Sequence, residues 1–283
     1  MKMKLPVYLI YLIAIMLSAF GCAKSKDTSS ISEINDCDSL PKGVKMLTRA
    51  IADNDAESFS SLVSYPLQRP YPLKNIENEE QMKRYYPVLI DDSLKSVIVD
   101  ATPGDWAEYG WRGWSIKKDN YIWVDEDVYS IPYISKRETE VRDSLIKADL
   151  KSIPVNLSKG WLPMQCLKGD GNEFVYRIDY KRDNSGKTLY RLCVYDGDSD
   201  LSGAPLDVMT GYREVEGSAG TATYYFQDKK GNTAIYAADI PDDSQPEIVF
   251  TNSETGDIEK EVPVINAYWL DIIKERGKAS RSI

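Results

Sequence analysis

Three carboxylates at alternate positions, in Asp196-Gly-Asp198-Ser-Asp200-Leu-Ser202, are the side chains of this sequence best spaced to gather a hard cation. Calcium loops collect oxygen ligands with that spacing. The match to an EF-hand is incomplete: Leu201 stands where the sharp-turn glycine belongs, and the twelfth position is Asp207 instead of a bidentate Glu. The other reading is a solvated turn between two strands. Thiols are the next candidates. If Cys22 belongs to a leader, Cys37, Cys166 and Cys193 remain, enough for one disulfide with one cysteine over. Cys166 and Cys193 lie in the same half of the chain and make the favoured pair; the alternative is two buried free thiols acting as small hydrophobes. Histidine is absent altogether. That excludes Ser-His-Asp and Cys-His nucleophile systems, histidine-ligated zinc and the commonest general base at neutral pH. Catalysis would have to rest on carboxylate, tyrosine, lysine or thiol.

The leader has its own chemistry. Residues 1–21 run from Met-Lys-Met-Lys through the apolar stretch Leu5 to Phe20 and end at Gly21, immediately before Cys22. A basic start, an apolar middle and small residues at the break make a secretory signal. With the cysteine it resembles the lipobox of bacterial lipoproteins, which implies cleavage before Cys22 and its acylation; an ordinary cleaved signal with a chance cysteine is the alternative. Acyl chains anchor a protein without a spanning segment. Residues 22–39 then read as a flexible polar tether, and the expected location is the cell envelope, lipid-anchored to the outer membrane, on its periplasmic or its surface side. The 283 residues carry a formal charge of −9, more negative once Lys2 and Lys4 are removed. Nucleic acid and anionic membrane surfaces both need a positive field, so neither is an expected partner beyond the lipid anchor.

Four of the six tryptophans fall between Trp106 and Asp125. This stretch reads as two extended segments, 108–116 and 121–124, joined by the polar tetrad Lys117-Lys118-Asp119-Asn120. On a single strand, Glu108, Gly110, Arg112 and Trp114 would share one face, with Tyr109, Trp111 and Gly113 opposite. Upstream, Val44, Leu47, Thr48 and Ile51 make one helical stripe. Asn78 is a fit cap, with Gln81 at the third position, for a helix exposing Met82, Tyr85, Tyr86 and Leu89 on one face. A further helix from Asp92 buries Leu94, Val97 and Ile98.

The series Ala50-Ile-Ala-Asp-Asn-Asp55, Ser61-Leu-Val-Ser-Tyr-Pro-Leu67, Asn78-Glu-Glu-Gln81, Gly110-Trp-Arg-Gly113 and Tyr121-Ile-Trp123 resembles the nuclear transport factor 2-like superfamily, in particular its uncharacterised envelope lipoproteins. The resemblance implies a cone-shaped helix-on-curved-sheet domain over residues 40–152, enclosing a cavity. It further implies that Asp105, Glu108, Tyr109, Arg112 and Tyr121 are candidate cavity groups. For Glu108 and Arg112 the residues themselves favour a solvated ladder on the outer face, since buried charges are rare unless paired.

Residues 153–283 switch to period two. A capping box, Ser135 to Glu138, opens a helix ending near Leu150 with Val141, Leu145 and Ala148 on one face. Hairpins are then expected at 174–195, across Asp183 to Gly186; at 221–237, across Asp228 to Asn232; and at 247–262, across Ser253 to Gly256. A helix from Ala267 to Glu275, presenting Trp269, Leu270 and Ile273, ends the expected pattern. The expected fold is therefore α+β: the cone, then an antiparallel sandwich or partial barrel with a terminal helix.

Three functions fit. The first is a non-catalytic binding module for a small molecule, glycan or envelope protein, with Glu108, Tyr109, Trp111, Arg112, Trp114 and Tyr121 as ligand contacts and no cofactor other than calcium at the aspartate loop. The second is an isomerase or lyase with Glu108 or Asp105 as base and Tyr109 or Tyr121 as acid. The third is a structural component of an envelope assembly.

Overall fold

The computed structural model describes residues 40–216, 221–238, 245–269 and 271–272. The leader and tether, and with them Cys22 and Cys37, lie outside the described residues. Among the described residues no helix is long and apolar enough to cross a membrane.

Helical spacing decides the first elements: α1 (Lys42–Ala52), α2 (Ala56–Ser61), α3 (Glu79–Leu89) and α4 (Asp92–Val99). Val44, Leu47 and Ile51 of α1, Met82, Tyr86 and Leu89 of α3, and Leu94 and Ile98 of α4 are buried in one core. Each of the last three helices starts on a side chain that satisfies an orphan backbone donor. Asp55 accepts from the Ser58 amide, Asn78 from that of Gln81 and Asp91 from that of Leu94, each at 3.0 Å.

The aromatic stretch does not form the long strand its composition suggests. It holds β1 (Trp106–Glu108) and β2 (Trp114–Ile116), paired antiparallel with Trp106 opposite Ile116 and Glu108 opposite Trp114. Gly110 and Gly113 take φ of 61° and 68°, so the chain reverses on itself instead of bending. The Tyr109 amide donates to the Gly113 carbonyl at 2.8 Å, and the Gly113 amide to that of Gly110 at 2.9 Å. With β3 (Trp123–Val124) and β4 (Val128–Ser130), a small four-stranded sheet in chain order results. Strands this short cannot curl around a cavity. Ile116, Ile122, Val124 and Val128 instead complete the core of α1 to α4.

Beyond α5 (Lys136–Ser152) and α6 (Val155–Ser158) come β5 (Leu162–Gly169), β6 (Phe174–Arg182), β7 (Thr188–Asp196), β8 (Asp207–Glu216), β9 (Thr221–Gln227), β10 (Thr233–Ala237), β11 (Glu247–Thr251) and β12 (Ile258–Ala267). They form a closed, up-and-down antiparallel barrel of eight strands. The expected hairpins are β6–β7, β9–β10 and β11–β12. Two strands with no clean alternation, β5 and β8, close the ring: β5 pairs with β6 and β12, β8 with β7 and β9. Closure leaves the barrel sheet without an edge. The expected cone followed by a sandwich or partial barrel is thus corrected: the molecule is mostly sheet, a closed barrel plus a four-stranded sheet with short helices.

Inside the barrel, Tyr176, Ile178, Leu192, Met209, Phe226, Tyr236 and Ile248 belong to one buried cluster. Outside it, Cys166, Val175, Cys193 and Tyr195 are buried together with Ile153, Trp269 and Ile272. Of the expected terminal helix, Ala267 is the last residue of β12, and Leu270 and 273–275 lie outside the described residues.

Helix α5 connects the two parts in an unexpected way. Its capping box forms, with Ser135 Oγ accepting from the Glu138 amide and Glu138 Oε2 from the Ser135 amide, both at 3.0 Å. The residues it buries, however, are Glu138 and Asp149, while Val141 and Ala148 are exposed. Buried carboxylates need partners. Glu138 is bound by Arg69 Nε and Nη2, each at 2.8 Å, and Asp149 by Arg177 Nη1 at 2.6 Å. By their contacts, residues 39–283 make one compact unit.

Candidate functional site

The hairpin β1–β2 brings some of the expected contact residues together at the surface. Trp111 is 72% exposed, the Arg112 guanidinium lies 5.1 Å from its ring centroid, and the Tyr129 hydroxyl donates to the Arg112 carbonyl at 2.8 Å. Tyr109 packs edge-on against Trp123 at 5.1 Å. Glu108 is exposed opposite half-buried Trp114, and Tyr121 turns away to pack edge-on against Tyr133 at 5.6 Å. The Asp105 carboxylate accepts from the Thr102 hydroxyl at 2.7 Å and its amide at 2.8 Å, and those bonds hold it below its ordinary pKa. Asp105 and Glu108 are both exposed, so neither has the dry surroundings in which a carboxylate serves as a general base of this kind.

The aspartate loop turns its carboxylates onto its own backbone. Asp196 Oδ1 accepts from the Asp198 amide at 2.9 Å, and Asp200 Oδ1 from the Ser202 hydroxyl at 2.6 Å and amide at 2.9 Å. Leu201, at φ 65°, is buried against the barrel's outer face, which fixes the loop as a hydrophobic plug. Among the described residues no three His, Cys, Asp or Glu side chains converge to hold a metal. Side-chain oxygens bound to amides two residues on are the geometry of Asx turns.

Cys166 and Cys193 are free and buried. Cys166 pairs with Arg177 and Arg177 with Cys193, so one strand stands between them. Neighbouring strands are about 4.8 Å apart, which puts the two cysteines roughly 9–10 Å apart, beyond the ~7 Å limit for a disulfide. The expected bridge is corrected to two thiols. Burial pushes Cys166 up to about 12 and Cys193 to about 11.

Arg177 is also the centre of a charge cluster that sequence reasoning missed. Its Nε donates to Asp179 Oδ1 at 2.8 Å, and Arg191 Nε and Nη2 donate to Asp179 Oδ2 at 2.9 and 2.6 Å. Arg191 lies 4.6 Å from the Trp161 ring centroid. Arg177 meets Asp149 of α5, and Arg191 donates to the Leu157 carbonyl of α6 at 2.5 Å. The signal was available: Arg177 and Asp179 alternate with Tyr176 and Ile178 on a strand buried on both faces. Burial, with the Asp179 charge, raises Asp149 against the pull of Arg177. Sealed beneath α5, the cluster is a junction and not an opening.

The opening is at the end of the barrel where β6, β8, β10 and β12 begin. A cavity of about 320 Å³ is floored by Phe174, Tyr176, Met209 and Phe250 and rimmed by Asp207, Asp228, Asn232, Thr233, Thr251, Glu259 and Lys260. An eight-stranded barrel has room for packed side chains or for one small ligand. This one fills its waist and leaves its mouth open. Asp228 accepts from the Lys230 amide at 2.7 Å and from the Asn232 amide and side chain at 2.9 Å. Burial alone would raise the Asp228 carboxyl, but these donors hold it below its ordinary value. Lys260 is bound to Glu173 at 3.2 Å and lies 4.8 Å from the Phe174 ring centroid. The rim therefore offers carboxylate and hydroxyl acceptors above an aromatic floor.

No family model, curated protein or solved structure matches this chain.

Proposed function

We propose that this chain is a non-catalytic binding module of the cell envelope, anchored through acylated Cys22, and that the barrel mouth holds its ligand. The observation that carries the reading is the open cavity over Phe174, Tyr176 and Phe250, ringed by Asp207, Asp228 and Glu259. Cavities of this size with an apolar floor and a few placed polar groups are the usual form of a small-molecule site. Aromatic faces pack the apolar face of a sugar ring, and carboxylate, amide and hydroxyl rim groups accept from its hydroxyls. A glycan fragment of one or two rings is the ligand class with that pattern.

Thermal shift and calorimetry of residues 30–283 against mono- and disaccharides provide the test. A ligand at a hundred times its dissociation constant adds about 2.7 kcal/mol to stability. Phe250→Ala and Asp228→Asn should each weaken the best sugar at least tenfold, with unchanged circular dichroism. Equal affinity in both variants, or silence across the panel, refutes the assignment to the mouth.

A second reading rests on one observation of its own. The exposed Trp111, with Arg112 on its ring, is the kind of aromatic-arginine pair that anchors protein interfaces. An envelope protein docking there would be lost on Trp111→Ala while sugar binding stayed.

A further inference from the structure

A second cavity, of about 390 Å³, lies between α3, α5, the segment 72–76 and Tyr268–Trp269. Its composition is opposite to that of the barrel mouth. Leu73, Ile76, Val141, Leu145 and Trp269 supply apolar wall, and no carboxylate lines it. Val141 and Leu145 belong to the stripe that a sequence reading assigns to the core. Because α5 buries Glu138 and Asp149 instead, that stripe is left on the wall of the groove, with Val141 38% exposed. Apolar side chains contiguous around a concavity mark an interaction site.

One polar group defines what would fit. Lys74 and Arg84 line the groove. Lys74 is already engaged by Asp271 at 2.7 Å, whereas Arg84 is exposed and makes no ion pair among the described residues. The groove thus combines an aliphatic wall with an uncompensated guanidinium.

We propose that this groove binds a medium-chain fatty carboxylate, its alkyl chain on Val141 and Leu145 and its head group the counter-ion of Arg84. The site is separate from the barrel mouth, and its ligand is an amphipathic anion where the mouth suits a neutral polyol.

Calorimetry of residues 30–283 with octanoate, decanoate and dodecanoate, each beside its matching alcohol, tests this. Affinity should rise about fourfold per added methylene until the groove is filled. Each carboxylate should bind at least tenfold more tightly than its alcohol. Arg84→Gln should erase that advantage and leave alcohol binding unchanged. Leu145→Asp, at a half-buried helix position, should abolish both ligands while circular dichroism is unchanged. Equal binding of acid and alcohol in the wild-type chain, no effect of Arg84→Gln, or binding that survives Leu145→Asp would each overturn the proposal, as would no binding at all.

Discussion

Cys166 and Cys193 flank Arg177 on the barrel wall that faces the helices, and their burial has a consequence at alkaline pH. An ordinary cysteine ionises near 8.5. In the fold the two are pushed up to about 12 and about 11. Below pH 8.5 both thiols are protonated in folded and unfolded chains alike, so they do not affect stability. Above it the unfolded chain releases its thiol protons first, and stability falls until the pH passes the folded values. The loss is about 1.4 kcal/mol per pH unit for each thiol, or about 2 kcal/mol per thiol at pH 10. Half-buried Tyr71 and buried Tyr195 are raised too and act in the same direction. A difference between variants isolates the cysteine: urea midpoints at pH 8 and pH 10 should converge in Cys166→Ala relative to the wild-type chain. An equal drop in both would mean that Cys166 is not held neutral. Cysteine spacing along the chain could not reveal any of this. Whether two thiols can meet depends on which strand lies between them, and that is a property of pairing, not of sequence separation.

At the scale of elements, Gly110 and Gly113 show how a readable signal was misassigned. Both stand out as places where a strand can bend, yet they turn the chain back on itself, and β1 pairs with β2 across them. Their demands differ. A Cβ on Gly113 would sit 2.4 Å from the Val124 carbonyl oxygen at φ 68°, whereas one on Gly110, at φ 61°, meets nothing within 4 Å. Gly110→Ala should therefore cost about 1 kcal/mol, the left-handed penalty alone. Gly113→Ala should cost about 2–4 kcal/mol, because strand β3 must also shift. Chemical denaturation of the two variants decides it, and equal losses would mean that the β3 contact is not tight. The same limits explain the strands. β6, β7, β9, β10, β11 and β12 were legible because apolar residues alternate up to a turn rich in Asp, Asn, Ser and Gly. β5 was hidden by Pro163 and by burial on both faces, where Cys166 on the outer face and Leu167 on the inner are both buried. β8 was hidden by Gly211, a break in composition that the fold requires, since a Cβ there would lie 1.7 Å from the Tyr225 carbonyl oxygen.

For the whole molecule, those two hidden strands decide the architecture, because without β5 and β8 the remaining hairpins can only be stacked into a sandwich. The barrel mouth was illegible for the same reason. Asp207 opens β8, Asp228 lies in the turn after β9 and Glu259 belongs to β12, and only closure places them around one opening. The helical half is joined to the barrel wall by α5, and the joint is electrostatic where sequence periodicity suggested an apolar one. Asp149 and Asp179 oppose Arg177 and Arg191, two charges of each sign with side chains 5% exposed or less. Removing one partner leaves a buried charge uncompensated, so Asp149→Ala should destabilise the protein by about 3–5 kcal/mol. Replacing the pair with apolar residues of similar volume removes that penalty. Asp149→Leu combined with Arg177→Met leaves Asp179 bound to Arg191, and it should recover most of the loss. The readout is thermal unfolding followed by tryptophan fluorescence and by far-ultraviolet circular dichroism. In the wild-type chain the two probes should coincide, since α5 makes one cooperative unit of both halves. In Asp149→Ala they should separate, because four of the six tryptophans lie in the four-stranded sheet and the stretch around it. Coincident transitions at the wild-type midpoint would show that the junction is held by the apolar contacts of Ile153, Trp269 and Ile272 alone.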